Sequence, residues 1–169
     1  RAADKITEER QAGRRDREDE AGEKERREHA KSLFFSNLIE GRLSMAELLE
    51  KARSIGIELA ASYYQIMLVK IGRSTFDSYS AAVNEMNDKL QNYISSKSEH
   101  MVCFDREPEG EIILFMEESK EKMEEDVKDL ADFLENMLSE KPEIGYFGSV
   151  GSPVSRIREI SQAYETAAH

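Results

Sequence analysis

The sequence predicts an α+β domain built on a four-stranded antiparallel sheet, because its hydrophobic period changes in a regular order. Four apolar segments rich in branched and aromatic residues alternate with two long amphipathic segments as β-α-β-β-α-β, and a last helix follows. A β-α-β unit, a hairpin and a returning crossover place both long helices on one face of the sheet. We therefore expect a ferredoxin-like fold, preceded by a helical hairpin and a long N-terminal helix.

The strand segments stand out by composition. SYYQIMLVKI at 62–71 predicts a central strand, and HMVCF and EIILFM predict a hairpin whose turn carries Pro108 and Gly110. EIGYFGSVG at 143–151 follows as the fourth strand. The amphipathic segments 76–95 and 118–140 place an apolar residue every three or four positions, which predicts the two long helices.

The first part of the chain divides by composition into two helical regions. Residues 1–31 are almost entirely charged residues and alanine, with opposite charges four apart, which indicates a solvated helical linker or a weak parallel dimer seam. Residues 32–57 carry apolar helical faces, and Ser44 precedes Glu47 as in a capping box, so we expect a helical hairpin. Residues 58–169 then form the α+β domain.

The charge distribution and the single cysteine limit the functions that this chain can have. Residues 1–31 hold ten basic and ten acidic side chains, so the whole net charge of −11 belongs to the remainder, which should repel nucleic acid. No apolar segment is long enough to span a membrane. Cys103 has no partner for a disulfide, and we expect it to be a buried, inert thiol in a cytoplasmic protein. Because the chain begins with Arg1, we expect it to be a piece of a longer protein.

The stretch IGYFGSVGSPVSRIREI resembles a phosphate-binding turn at first sight. Its glycines, Gly145, Gly148 and Gly151, are evenly spaced by three, and no lysine follows Pro142. Neither the ATPase loop nor the dinucleotide fingerprint has that pattern. We interpret the stretch as a connection from a strand to a helix, with Ser152 as the helix cap and Pro153 at the first helical position.

Two stretches together carry a family resemblance. SLFFSNLIEGRLSMAELLEKARSIGIELAASYYQIMLVKI and, much later, GSVGSPVSRIREISQAYETA resemble the middle region of AraC-type two-component response regulators. That region is a degenerate relative of the GGDEF diguanylate cyclase domain and lies between a receiver and a helix-turn-helix DNA-binding domain. The resemblance implies a nucleotide-cyclase-like fold, a homodimer, and a sensor kinase that acts through the receiver.

The resemblance also implies that cyclase activity is lost. An active GGDEF domain holds magnesium with two aspartates, separated by one residue, at the end of the first strand. Those positions here are Lys70 and Gly72, which offer a repelling charge and no ligand atom. The signature motif at the hairpin turn is reduced to Pro108, Glu109, Gly110 and Glu111. We expect no catalysis, no metal and no cofactor at this place.

Two functions follow as hypotheses. The first is a non-catalytic relay and dimerisation module, with its interface and packing residues in the helical hairpin: Phe34, Phe35, Leu38, Ile39, Leu48 and Leu49. The second is a sensor that kept a nucleotide or metabolite pocket lined by Arg73, Arg106 and Glu111. The three histidines are too scattered to form a site together, and we expect them at the surface. The acidic run MEESKEKMEEDVKD is interpreted as the solvent-exposed face of an amphipathic helix.

Overall fold

The computed structural model describes residues 2–72, 81–106 and 110–168, with side chains from residue 19 onward. The elements are α1 Ala2–Glu40, α2 Met45–Ser54, β1 Tyr63–Ile71, α3 Ala81–Ser95, β2 Met101–Arg106, β3 Gly110–Glu117, α4 Lys120–Ser139, β4 Tyr146–Val150 and α5 Ile160–Ala168, the last preceded by a 3-10 turn, Ile157–Glu159. The predicted fold class and element order are confirmed.

The four strands form one antiparallel sheet in the order β2-β3-β1-β4. In the register of the central strand β1, Met67 lies opposite Ile113 of β3 on one side and Val150 of β4 on the other. The strands β2 and β4 are therefore the two edges. This order is the one that two crossover connections and a hairpin produce.

Both faces of the sheet are covered by helices. On the face that we call the α3/α4 face, Met67 and Val69 of β1 pack with Met86, Leu90 and other apolar residues of the two long helices. On the opposite face, the α1/α5 face, Ile66 and Leu68 pack against α1, α2 and α5. The long helices share one face, as predicted. The residues of β1 that face either side of the sheet are apolar, so both faces of the sheet must be buried.

The charged N-terminal segment and the first apolar helix form one continuous helix. Helix α1 runs through residues 31 and 32 without a break, so the change of composition marks where this helix reaches the sheet. It ends at Glu40, and the next residue, Gly41, has the left-handed φ of 67° that often terminates a helix. Ser44 then caps α2 by accepting the Glu47 amide at 3.2 Å, which confirms the predicted cap.

The glycine-rich stretch differs from its interpretation at one point. Ser152 does not cap the last helix, which begins at Ile160, because the chain first returns to the sheet and Val154 pairs with Tyr64. The Gly151 amide donates to the Ile66 carbonyl at 2.8 Å, and the Ser152 amide donates to Thr166 Oγ at 3.1 Å. These amides are engaged within the fold. They do not form an anion-binding turn.

Candidate functional site

The end of β1 and the adjacent hairpin are where the family resemblance places a nucleotide and magnesium. Lys70 pairs with Phe147 of β4, and the Gly72 amide donates to the Gly145 carbonyl at 2.7 Å. The end of β1 is thus fastened to the segment before β4. Neither position carries an oxygen side chain that could bind a hard cation. Arg73 of the predicted ligand site lies outside the described residues.

Gly110 at the start of β3 is held against β1. It has a φ of 104°, and a Cβ built on it would lie 2.6 Å from the Val69 carbonyl oxygen and 3.1 Å from Lys70 Cα. A side chain at this position would therefore collide with the backbone of β1. The glycine that remains from the signature motif has a structural reason to be there.

Arg106 projects from the last position of β2 onto the α1/α5 face. Its guanidinium carbon lies 5.8 Å from the centre of the Phe35 ring of α1 and 5.6 Å from the Tyr164 ring of α5. A guanidinium at this range interacts favourably with each ring. Arg106 thus connects the edge of the sheet to the first and the last helix.

Glu111 lies on the other side of the sheet. Its buried carboxylate accepts hydrogen bonds from Gln91 Nε2 of α3 and from Cys103 Sγ, both at 3.1 Å. Burial, assisted by the nearby charge of Asp105, raises the pKa of Glu111 to about 7. Burial and Glu111 also raise the pKa of the Cys103 thiol well above its ordinary value. The structure therefore does not bring Arg106 and Glu111 together, since they face opposite sides of the sheet.

The six residues predicted for an interface lie on the α1/α5 face. Phe34, Phe35, Leu38 and Leu48 are buried in its core, and Ile39 and Leu49 are half-buried against the same core. The Phe35 ring stacks on Phe104 of β2 with 4.8 Å between centroids. These side chains fasten α1 and α2 to the sheet within one chain, and their use between two chains stays a prediction.

A second group of polar residues escaped the sequence interpretation. His100, Glu117 and Asp126 each offer one ligand atom, and these atoms lie within 4.8 Å of one another. His100 Nδ1 is 2.9 Å from Glu117 Oε1. Asp126 belongs to the acidic run that was interpreted as the solvent-exposed face of a helix, yet it is buried. Its spacing was the available signal, because it lies three residues after Met123 and four before Leu130 on the apolar side.

The described surface also has a groove between the two long helices. It measures about 560 Å³ and runs beside Tyr93 and Phe133, whose rings stack at 4.4 Å. Nothing in the described residues indicates what would occupy it. Among those residues, no helix combines the length and the apolar character needed to cross a membrane.

Comparison with known proteins identifies the domain. Residues 40–169 match the GGDEF-like domain family, which agrees with the antiparallel sheet and its helices. No curated protein matches the chain. No solved structure matches it either. Because the family match covers most of the chain and includes every strand of the sheet, this protein belongs to the GGDEF-like domain family.

Proposed function

We propose that this domain is a non-catalytic relay and dimerisation module of a cytoplasmic response regulator. It would connect a phosphorylated receiver to a DNA-binding domain of the same full-length protein, and a sensor kinase would act on that receiver. The observation that carries the proposal is helix α1. It is one continuous helix over Ala2–Glu40, and its last part is buried on the sheet through Phe34, Phe35 and Leu38.

The non-catalytic part rests on the end of β1. Lys70 and Gly72 stand where an active relative holds magnesium, and a lysine ammonium repels that ion. Glu111, the carboxylate kept from the signature motif, is buried on the α3/α4 face and hydrogen-bonded to Cys103 and Gln91. A carboxylate engaged in this way is not free to bind a nucleotide-bound metal.

The relay part rests on the contact between the first and the last helix. Phe35 of α1 lies edge-on to Tyr164 of α5 with 5.7 Å between ring centroids, and the Arg106 guanidinium interacts with both rings. A rotation or shift of α1 would have to move these rings, because cores are close-packed. A signal arriving along α1 would in this way change the position of α5.

The dimer part rests on exposed apolar groups. Four of the six predicted interface residues are already buried within the chain, so a two-fold contact through α1 would need its exposed side chains. Leu33 is 56% exposed and adjoins the buried Phe34. It is the large exposed apolar residue in the part of α1 whose side chains are described.

The relay proposal is tested by measuring the distance between α1 and α5. Spin labels are attached to cysteines introduced by Arg27→Cys and Glu165→Cys, and the distance between the two labels is measured. The native Cys103 should not be labelled, because it is buried. We expect one narrow distance distribution in the parent chain. The Phe35→Leu variant should broaden this distribution, because it keeps most of the apolar volume but loses the ring contacts. Each of these contacts is worth about 0.5–1.5 kcal/mol. Leu33→Ala is the matched control: it should leave this distance unchanged and weaken self-association in sedimentation.

Two results would contradict this proposal. If Phe35→Leu leaves the α1–α5 distribution as narrow as in the parent chain, the ring contacts do not couple the helices. If the parent chain sediments as a monomer at high concentration, the dimerisation part is wrong. Labelled chain is diluted with unlabelled chain, so that distances within one chain are separated from distances between chains.

The alternative function is a ligand sensor. Its predicted pocket loses support, because Arg106 and Glu111 lie on opposite faces of the sheet. A sensor would then have to bind its ligand elsewhere in the domain.

A further inference from the structure

We propose that His100, Glu117 and Asp126 form a binding site for a divalent transition-metal ion of the zinc class. The site lies where β2 begins, β3 ends and α4 begins. Glu117 pairs with Tyr63 at the start of β1, so the site is at the opposite end of the sheet from Lys70 and the hairpin. This inference goes beyond the relay function and does not depend on it.

The backbone brings the three side chains together. The Met116 amide donates to the His100 carbonyl at 2.8 Å, which holds the histidine beside the last residues of β3. Ser119 then caps α4 by accepting the Lys122 amide at 3.2 Å, and the helix returns over the sheet. Asp126 reaches the site from the buried side of that helix. The turn before β2, the end of β3 and helix α4 thus supply one ligand each.

The two carboxylates are buried and incompletely satisfied. Glu117 is 5% exposed and Asp126 is 6% exposed. Within the part of the chain that the structure describes, Glu117 Oε2 and Asp126 Oδ2 have no hydrogen-bond partner, although both atoms are inaccessible to solvent. A buried carboxylate oxygen without a partner is costly, and two adjacent carboxylates cost more. A cation bound between the carboxylates, or a proton shared by them, removes this cost.

Among the described residues, the basic groups that act on this pair are His100, which is itself one of the three ligands, and Lys122. The Lys122 ammonium is 3.9 Å from Glu125 on the outer side of α4, and the Lys120 ammonium lies over the Tyr63 ring at 5.9 Å. Burial, together with the Glu117 carboxylate, raises the pKa of Asp126 to about 6.

The donor set indicates the class of metal. One imidazole nitrogen and two carboxylate oxygens suit zinc and similar first-row ions, whereas calcium and magnesium prefer oxygen ligands alone. Tetrahedral ligands about 2.1 Å from such an ion are roughly 3.4 Å apart. The present separations of up to 4.8 Å would close by small rotations of the side chains. The His100 side chain is 45% exposed, so solvent reaches the site and can supply the remaining ligand.

The test is a zinc titration of the chain without an affinity tag. The protein is first treated with a chelator and then titrated with zinc chloride at pH 7.5 by calorimetry, and cobalt is added separately for its visible absorption. We expect one ion per chain and a higher melting temperature, since a ligand at 100 times its Kd adds about 2.7 kcal/mol. The absorption should indicate nitrogen and oxygen ligands without thiolate.

Variants locate the site. His100→Ala removes the exposed ligand and Asp126→Asn a buried one, and each should weaken zinc binding at least about tenfold. Both should fold in the presence of chelator, which circular dichroism checks, because neither change empties the apolar core. His29→Ala is the control: this histidine is exposed on α1 and its loss should leave zinc binding unchanged.

Three outcomes would overturn the inference. The first is the absence of both binding heat and a melting shift in the parent chain. The second is equal zinc affinity in the parent chain and in a folded His100→Ala variant. The third is saturation by magnesium or calcium at concentrations where zinc has no effect, since an oxygen-preferring ion would not need the imidazole.

Discussion

Single residues in this domain show how burial changes the chemistry that a sequence motif suggests. Glu111 stands at the family's signature turn, yet its carboxylate is buried between Cys103 and Gln91. Asp126 stands in an acidic run, yet it faces the core. The burial of these two side chains was not predicted from residue type, because residue type does not reveal the face to which a side chain is directed. The spacing of a residue from its apolar neighbours in the sequence does indicate that face.

Glu111 should make the stability of the domain depend on pH. Its pKa rises from an ordinary 4.5 to about 7 on folding, so the folded state binds the proton more tightly and stability is lost as pH rises through this range. The full loss corresponds to about 3 kcal/mol. Melting temperatures of Glu111→Gln should therefore fall less between pH 5 and pH 8 than those of the parent chain.

The melts that test this prediction are done in chelator. Asp126, whose pKa is also raised, keeps part of the slope in both proteins. Glu99→Gln, a change at an exposed carboxylate, serves as the control and should retain the parental slope. Parallel curves for Glu111→Gln and the parent chain would show that Glu111 does not titrate in this range.

At the scale of elements, two boundaries depend on what each element meets in space. The composition of α1 changes at residue 32, but the helix continues, because its apolar part begins where it reaches β2. The last helix begins eight residues after Ser152, because the intervening chain pairs with β1 through Val154. Local capping rules would also allow a helix to begin at Ser152. The pairing of Val154 with Tyr64 prevents this, because it holds the following chain against the sheet.

Gly151 should be essential for the docking of α5. A Cβ at this position would collide with the Ala163 carbonyl and lie 2.9 Å from Thr166 Oγ, so Gly151→Ala must displace the helix. We expect a loss of about 1–3 kcal/mol, seen as a melting temperature lower by several degrees. Gly148→Ala, in the strand just before Gly151, is the matched control, since its Cβ would meet nothing nearer than the Leu68 oxygen at 4.0 Å. Equal destabilisation by both variants would contradict the packing argument.

At the scale of the whole molecule, the sheet is enclosed by helices on both faces, and the expected nucleotide end holds no assembled binding site among the described residues. Because the family resemblance places Lys70 and Gly72 at the positions of the metal aspartates, we predict that the chain makes no cyclic di-GMP from GTP and magnesium, with an active cyclase as the positive control. Neither nucleotide should raise the melting temperature. A shift of several degrees would favour the sensor, because a ligand at 100 times its Kd adds about 2.7 kcal/mol. Product formation would refute the non-catalytic proposal.

The sequence by itself determined the α+β class and the order of the strands along the chain, since hydrophobic periodicity is a local property. That Lys70 and Gly72 stand at the positions of the metal aspartates remains what the family resemblance implies. Only the tertiary structure decided which polar residues meet. It separated Arg106 from Glu111: Arg106 lies opposite Gly110, and Glu111, the next residue of β3, faces the other side of the sheet. It also brought together His100, Glu117 and Asp126 from three separate parts of the chain. Side chains distant in sequence become neighbours only when the strands and helices pack.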